Sequence, residues 1–137
     1  MGDPVLHIEL RKWADVMLVA PLSANTLAKL ANGVSDNLLT CVARAWDLSL
    51  KPFVVCPAMN TMMWDHPLTG RHIRAVTGSP PDGLGFRIIA PVEKLLACGD
   101  LGMGAMAEVA TILDFVRGLT VGHVVGARDD APGRAKL

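Results

Sequence analysis

Three short segments of the chain carry residue types that could do chemistry. Ser23, Asn25 and Thr26 place hydroxyl and carboxamide groups directly after an apolar run, and Asn60 follows a second apolar run. Cys98 lies further along in a glycine-rich stretch. Polar side chains beside backbone N–H groups at a helix start can bind an anion or a carbonyl oxygen. A thiol in a glycine-rich loop is easily made accessible, as a reactive thiol must be. These segments indicate a small-molecule site with one candidate thiol.

Each segment also has a plainer interpretation. Ser23–Thr26 can be a simple capped helix start, and a lone cysteine is usually inert. Met59–Trp64 can be a methionine-rich corner of the core or a polarisable wall for a flat aromatic ligand. Cys41 and Cys56 lie within apolar patterns, and we predict that both belong to the core. Local spacing leaves these alternatives open.

The candidate segments follow predicted strands of a parallel sheet. Val16–Ala20, Phe53–Cys56 and Phe86–Ala90 are largely apolar, as strands covered on both faces are, and a proline follows each. Helical patterns lie between them, an alternation typical of an α/β domain. Ligands of such sheets bind at the carboxyl ends of the strands, where Ser23 and Asn60 fall.

Helical periodicity predicts the elements around these strands. The turn-rich segment Thr77–Gly85 and the glycine-rich stretch Gly99–Gly104 are expected to be loops. The expected helices are, in chain order, Leu6–Ala14, a segment from an N-cap at Ser23 to Asn32, a segment capped by Ser35 or Asp36, Pro67 to about Val76, and Ala107 to about Val116.

Composition limits the class of protein. Of 137 residues, 51% are hydrophobic and 19% are charged, which is typical of a folded domain. Lys plus Arg and Asp plus Glu number 13 each, so the charge gives no reason to expect nucleic acid or an anionic membrane as partner. The three scattered cysteines form neither a disulfide framework nor a metal-ligand pair. With no signal-like leader and no bilayer-length apolar run, we expect a soluble, cytoplasmic protein that binds no metal.

Three strands are only half of a doubly wound nucleotide-binding sheet. In such folds the first strand–helix turn usually supplies a glycine-rich phosphate loop. The residues before Val16 cannot form that unit, because Leu6–Ala14 is amphipathic and predicted to be helical. We therefore expect a parallel α/β sheet whose first strands are missing from this chain.

Four motifs together resemble those of one enzyme family. They are V-L-H-I-E-L-R-K-W-A-D at Val5–Asp15, P-L-S-A-N-T from Pro21, P-A-M-N-T-M-M-W from Pro57, and A-C-G-D-x-G-x-G-A-M-A-E at Ala97–Glu108. In this order they are similar to the motifs of the flavin-dependent cysteine decarboxylases that act on phosphopantothenoylcysteine. The resemblance assigns residues 1–117 to the C-terminal part of a flavoprotein domain. Residues 118–137 are left as a tail, which we expect to be disordered because it has no sustained period.

The resemblance implies a fold, a cofactor and residue roles. The family fold is a three-layer, flavodoxin-like (Rossmann-like) α/β domain that assembles as a homotrimer and holds FMN near subunit contacts. His7 and Met63 match active-site residues, Cys98 matches the proton donor, and Asn60 would contact the substrate carboxylate. The positions matched to flavin binding are Ser23, Ala24, Asn25, Thr26 and Ala58, and those matched to substrate binding are Asn60, Ala97 and Met106.

The implied reaction is FMN-dependent decarboxylation of 4′-phosphopantothenoylcysteine to 4′-phosphopantetheine, a carboxy-lyase step of coenzyme A biosynthesis. Direct loss of CO2 would leave an unstabilised carbanion, whereas prior oxidation at the thiol-bearing carbon creates an electron sink. One alternative is a truncated, catalytically incompetent regulatory or binding subunit of the same family. Another is a different enzyme of the superfamily, such as a flavin prenyltransferase or a peptidyl-cysteine decarboxylase.

Overall fold

Local sequence signals account for most of the elements, which a computed structural model describes over residues 5–95 and 101–130. Strands β1, β2 and β3 form a parallel sheet in that order, and β4 and β5 form an antiparallel pair. The elements are α1 (Leu6–Trp13), β1 (Met17–Leu22), α2 (Ala24–Asn32), α3 (Leu38–Arg44), β2 (Phe53–Pro57), α4 (Thr61–Trp64), α5 (Pro67–Thr77), β3 (Arg87–Ile88), β4 (Val92–Leu95), β5 (Leu101–Ala105) and α6 (Val109–Asp130).

The central strand β2 is buried along its whole length. Because side chains alternate along a strand, β2 contributes to a core on each face of the sheet. Phe53 and Val55 pack with residues of α2, α3 and α5, whereas Val54 and Cys56 pack with Ile112 of α6. Helices therefore cover both faces of β2, and the predicted three-layer α/β arrangement is confirmed.

Strand β1 lies at the edge of the described sheet. We predicted that it would end at Pro21, but its register with β2 shifts between Val19 and Leu22, and pairing resumes at Leu22. An edge strand with such an irregularity tolerates proline, because the missing N–H need not join a ladder. Leu18 is 41% exposed, so part of the apolar surface of β1 is open to solvent.

The N-cap of α3 differs from the prediction. We expected Ser35 or Asp36, but the cap is Asn37, which accepts from the Thr40 backbone N–H at 2.9 Å. The Thr40 hydroxyl oxygen accepts in return from the Asn37 N–H at 3.1 Å, which completes a capping box. The carboxylate of Asp36 instead pairs with Lys29 at 2.8 Å. Asp36 thus takes part in an ion pair and not in the cap of α3.

The glycine-rich stretch that we predicted as a loop is partly a strand. Its second half forms β5, which pairs with β4 in an antiparallel register. Gly104 on β5 is buried and has a φ of 122°, a conformation that side chains rarely adopt. A glycine is required there because the backbone of Met59 lies against it. Glycine has a low strand propensity, but at position 104 only glycine leaves room for the Met59 backbone beside β5.

Helix α6 extends well beyond its predicted end near Val116. We interpreted the chain from Gly118 as a disordered tail, but the structure continues α6 to Asp130. Leu119 packs against the core cluster formed with Val54, which gives the continued helix an apolar anchor. Residues 131–137 lie outside the described part of the chain. No helix in the described ranges is both long and apolar enough to cross a membrane.

Candidate functional site

The carboxyl ends of β1 and β2 lie side by side and carry two of the candidate segments. The Leu22 carbonyl oxygen accepts a hydrogen bond from the Ala58 N–H at 2.9 Å, next to the registered pair Leu22 and Pro57. The chain enters α2 just after Leu22 and reaches Asn60 just after Ala58. The structure therefore brings the two motifs together at the edge of the sheet where α/β proteins bind ligands.

The N-terminal end of α2 forms one side of this edge. Ser23 is its N-cap, as predicted, and the Ser23 Oγ accepts from the Thr26 N–H at 3.1 Å. That bond fixes the hydroxyl over the first turn but leaves its proton available for donation. Ser23 and Asn25 are exposed, while Ala24 and Thr26 are half-buried. Both polar side chains can thus reach a ligand beside a helix end that favours negative charge.

The carboxamide of Asn60 is oriented by the short helix that follows it. Its Oδ1 accepts from the backbone N–H of Met63 at 2.9 Å, so Asn60 is the N-cap of α4. An N–H needs an acceptor, so the oxygen of the amide must occupy this position and the Nδ2 group faces away from the cap. Asn60 is exposed. The structure therefore presents an amide donor, suited to an anionic or carbonyl oxygen.

The methionines around Asn60 divide between core and surface. Met59 is half-buried and packs against the first core cluster, whereas Met62 is 80% exposed and Met63 is 44% exposed. The buried hydroxyl of Thr69 hydrogen-bonds to the Met63 carbonyl oxygen and lies 3.8 Å from the Met59 sulfur. The interpretation as a core corner therefore holds for Met59. Met62 and Met63 lie at the surface and are not part of that corner.

The antiparallel pair of β4 and β5 is attached to the Asn60 segment. The Met59 N–H donates to the Gly104 carbonyl oxygen at 2.9 Å, and the Thr61 hydroxyl donates to the Met103 carbonyl oxygen at 3.1 Å. Neither Thr61 nor Gly104 is among the site residues expected from the sequence. The alternation of glycines around Gly104 was the available signal, because it is typical of a strand that meets another backbone.

Two of the predicted site residues lie outside the described part of the chain. Ala97 and Cys98 belong to residues 96–100, which join β4 to β5. Met106, the third residue matched to substrate binding, is half-buried and packs against the core cluster of α6. Cys56 lies in the core as predicted, and burial raises the pKa of its thiol. Cys41 is only half-buried.

His7 lies on α1, some distance along the chain from the other candidates. The Lys51 Nζ donates to the carbonyl oxygens of Arg11 and Lys12 at 2.8 and 3.1 Å, which places the C-terminal end of α1 beside the start of β2. His7 is at the opposite end of α1, and its side chain is half-buried. None of the described hydrogen bonds involves its imidazole, so these contacts do not join His7 to Asn60.

Comparisons with known proteins agree with the fold. The Flavoprotein family matches residues 1–121 of the chain. A phosphopantothenoylcysteine decarboxylase of Glycine max is 62% identical over 117 residues, which is 85% of this chain and 53% of that protein. A solved structure of a PPC decarboxylase mutant complexed with pantothenoylaminoethenethiol has a TM-score of 0.79 and 56% identity, over 87% of this chain and 62% of that one. The FMN binding protein AtHal3 has a TM-score of 0.75 and 58% identity, over 87% and 61%. The chain thus spans about half the length of the curated relatives it matches.

Proposed function

The chain belongs to the flavoprotein family, and we propose that it carries the catalytic part of an FMN-dependent decarboxylase that converts 4′-phosphopantothenoylcysteine into 4′-phosphopantetheine in coenzyme A biosynthesis. The observation that carries the proposal is the joining of three motif segments by two backbone hydrogen bonds. The Ala58 N–H reaches Leu22, and the Met59 N–H reaches Gly104, each at 2.9 Å. The identity to phosphopantothenoylcysteine decarboxylases supports this choice of substrate.

The residues at the start of α2 fit a flavin. Ser23 and Asn25 offer exposed hydroxyl and carboxamide groups, while the small side chains of Ala24 and Ala58 allow a flat ring to approach the backbone. With Thr26, these five residues would hold FMN. When bound, FMN supplies the two-electron oxidation at the thiol-bearing carbon and the reduction that completes the reaction. The protein's own task is to bind and orient the substrate beside it.

Asn60 would hold the substrate carboxylate. Its Oδ1 is engaged by the Met63 N–H, so the Nδ2 group can donate to a carboxylate oxygen without competing for the cap. A prearranged donor restricts the orientation of the carboxylate before CO2 leaves. Ala97 and Met106 would complete the contacts to the substrate. The exposed side chain of Met63 would supply an apolar wall beside the departing group.

Cys98 would return the proton, and His7 would contribute from α1. A thiol suits general acid chemistry because its ordinary pKa lies close to neutral pH. The buried Cys56 is unsuited to this task, because burial raises the pKa of its thiol and the core covers it. We further propose a homotrimer in the cytoplasm, as the sequence resemblance implies.

The first test is an absorbance spectrum of the purified chain after FMN is added and the excess is removed by gel filtration. We expect a retained flavin band that elutes at the size of a trimer. Release of CO2 from 4′-phosphopantothenoylcysteine is then measured with the same protein. The Cys98→Ser variant should retain the flavin but should no longer complete the catalytic cycle.

Cys41→Ser is the matched control for that variant, because Cys41 lies on α3 and its Sγ contacts the Ser35 carbonyl oxygen. It should keep both flavin and activity. A colourless protein without CO2 release would contradict the proposal for this chain and favour the regulatory or binding subunit. If the protein retains flavin but releases CO2 only from a peptide that ends in cysteine, the proposed substrate is wrong. The chain would then be a peptidyl-cysteine decarboxylase.

A further inference from the structure

We propose that Thr61 is a positioning residue for the reaction, and that its hydroxyl group fixes the distance between the carboxamide of Asn60 and the hairpin of β4 and β5. This proposal rests on the function proposed above, because it concerns the same site. Thr61 itself would contact no reacting group. It acts through the backbone of β5, which leads directly to Met106, one of the residues matched to substrate binding.

Two hydrogen bonds to β5 bracket Asn60 in the sequence. The residue before it, Met59, donates its N–H to the Gly104 carbonyl oxygen at 2.9 Å. The residue after it, Thr61, donates its hydroxyl to the Met103 carbonyl oxygen at 3.1 Å. Because the acceptors are also consecutive residues, the two short segments are joined at two points. A connection at two points restricts rotation as well as separation, which a single bond would not do.

Of these two hydrogen bonds, only the one from the Thr61 side chain can be removed by a substitution. The Met59 N–H belongs to the backbone, so any residue at that position supplies it. The bond from position 61 requires a hydroxyl group, because valine has nearly the same shape as threonine but cannot donate. Thr61 is half-buried, so the Met103 carbonyl oxygen would lose its partner with little water to replace it.

The same residue also begins α4, the helix that orients Asn60. The Asn60 Oδ1 accepts from Met63 within α4, and Thr61 is the first residue of that helix. The turn from Asn60 to Met63 therefore orients the Asn60 carboxamide and also binds the hairpin of β4 and β5. We infer that Asn60 and Met106, which would both contact the substrate, are placed relative to one another through this turn.

The test compares Thr61→Val with Thr61→Ser in the full chain. Its structural readout is hydrogen exchange at the Met59 amide, which donates to Gly104. Loss of the hydroxyl should raise this exchange rate by about tenfold, the ratio that corresponds to about one net hydrogen bond. Thr61→Ser keeps the donor and should stay close to the parent rate. The kinetic readout is kcat/KM for CO2 release, which should fall about tenfold in Thr61→Val and recover in Thr61→Ser.

Thr77→Val provides a matched control, since Thr77 donates its hydroxyl to the Ile73 carbonyl oxygen at 2.7 Å within α5. It should leave the Met59 exchange rate and kcat/KM unchanged. Unchanged exchange in Thr61→Val, or equal impairment in Thr61→Ser, would overturn the proposal. So would raised exchange in Thr61→Val with the parent's kcat/KM. If the parent protein releases no CO2, the proposed function fails, and the exchange rates alone still decide whether Thr61 holds the hairpin.

Discussion

The backbone N–H of Met59 and the carbonyl oxygen of Gly104 lie 2.9 Å apart, which joins the end of the central strand to the antiparallel hairpin. The approach is so close that a Cβ atom at position 104 would overlap the Met59 carbonyl oxygen. The two motif segments can lie this close because Gly104 has a hydrogen atom where other residues have a Cβ atom. The candidate site depends on this contact, because Asn60 follows Met59 directly.

Gly104→Ala should destabilise the fold by about 2 kcal/mol or more, because it adds a positive-φ strain to a steric overlap. The φ of 122° and the contact with Met59 are the two causes. Urea unfolding measures the loss. Gly118→Ala is the control, because nothing lies within 4 Å of a Cβ there and the helix should gain about 0.5–1 kcal/mol. Similar stability changes in both variants would show that β5 does not press on Met59.

Asn60→Asp should distinguish the role of Asn60 as an N-cap from its proposed role in binding the substrate. Aspartate caps a helix about as well as asparagine, so thermal stability should hardly change. Its carboxylate would repel a substrate carboxylate and offers no N–H, so affinity for a carboxylate-bearing substrate should fall at least about tenfold. Calorimetry of binding and thermal unfolding measure the two effects.

Asn60→Ala completes the comparison, because it removes both functions. It should lose affinity and also about 1 kcal/mol of stability through the missing bond to Met63. Undiminished affinity in Asn60→Asp would mean that the carboxamide does not face the substrate.

The thiols of Cys41 and Cys56 should differ sharply in reactivity. Burial raises the pKa of Cys56 and leaves its side chain with no exposed surface, whereas Cys41 is half-buried. Iodoacetamide should label Cys41 at least about tenfold faster in the folded protein, and mass spectrometry after digestion gives both rates. In urea the difference should vanish. Equal labelling without denaturant would indicate that β2 opens readily.

Acid should weaken the connection between α2 and α3. The hydrogen bond from Lys29 holds the pKa of Asp36 below its usual value of 3.8. A carboxylate with a lowered pKa stabilises the folded state above that usual value, and the stabilisation is lost as the pH falls through the folded-state pKa. The stability difference between the parent and Asp36→Asn should therefore be constant near neutral pH and shrink below about pH 4.

Urea unfolding between pH 7 and pH 3 measures this difference. Asp82→Asn is the control, since Asp82 is exposed and makes none of the described ion pairs. A difference for Asp36→Asn that does not change with pH would rule out the Lys29 contact as its source.

Local patterns predicted the elements whose causes are local. The apolar runs of β1 and β2 and the N-cap at Ser23 could be read directly, because each is determined by neighbouring residues. The cap of α3 was assigned one or two residues too early, since Ser35, Asp36 and Asn37 are all suitable cap residues. The spacing from Asn37 to Thr40 is a local signal for the capping box, whereas the pairing of Asp36 with Lys29 requires the folded chain.

Contacts between distant segments could not be predicted from spacing. The strand at Leu101–Ala105 was expected to be a loop because its glycines disfavour regular structure in isolation. Its partner strand and the Met59 backbone supply the stabilising contacts. The part of α6 beyond Val116 was missed for a similar reason, because the packing of Leu119 against the sheet is a tertiary contact.

The separation of Thr61 and Met103 by 42 residues along the chain has a consequence for how the protein folds. The contacts from Lys29 to Asp36 and from Asn37 to Thr40 close loops of seven and three residues. Short loops close at a smaller entropic cost, and contacts between distant segments form late. The turn between α2 and α3 should therefore assemble early and the junction around Asn60 late. During refolding, ligand binding should lag behind the recovery of helical circular dichroism.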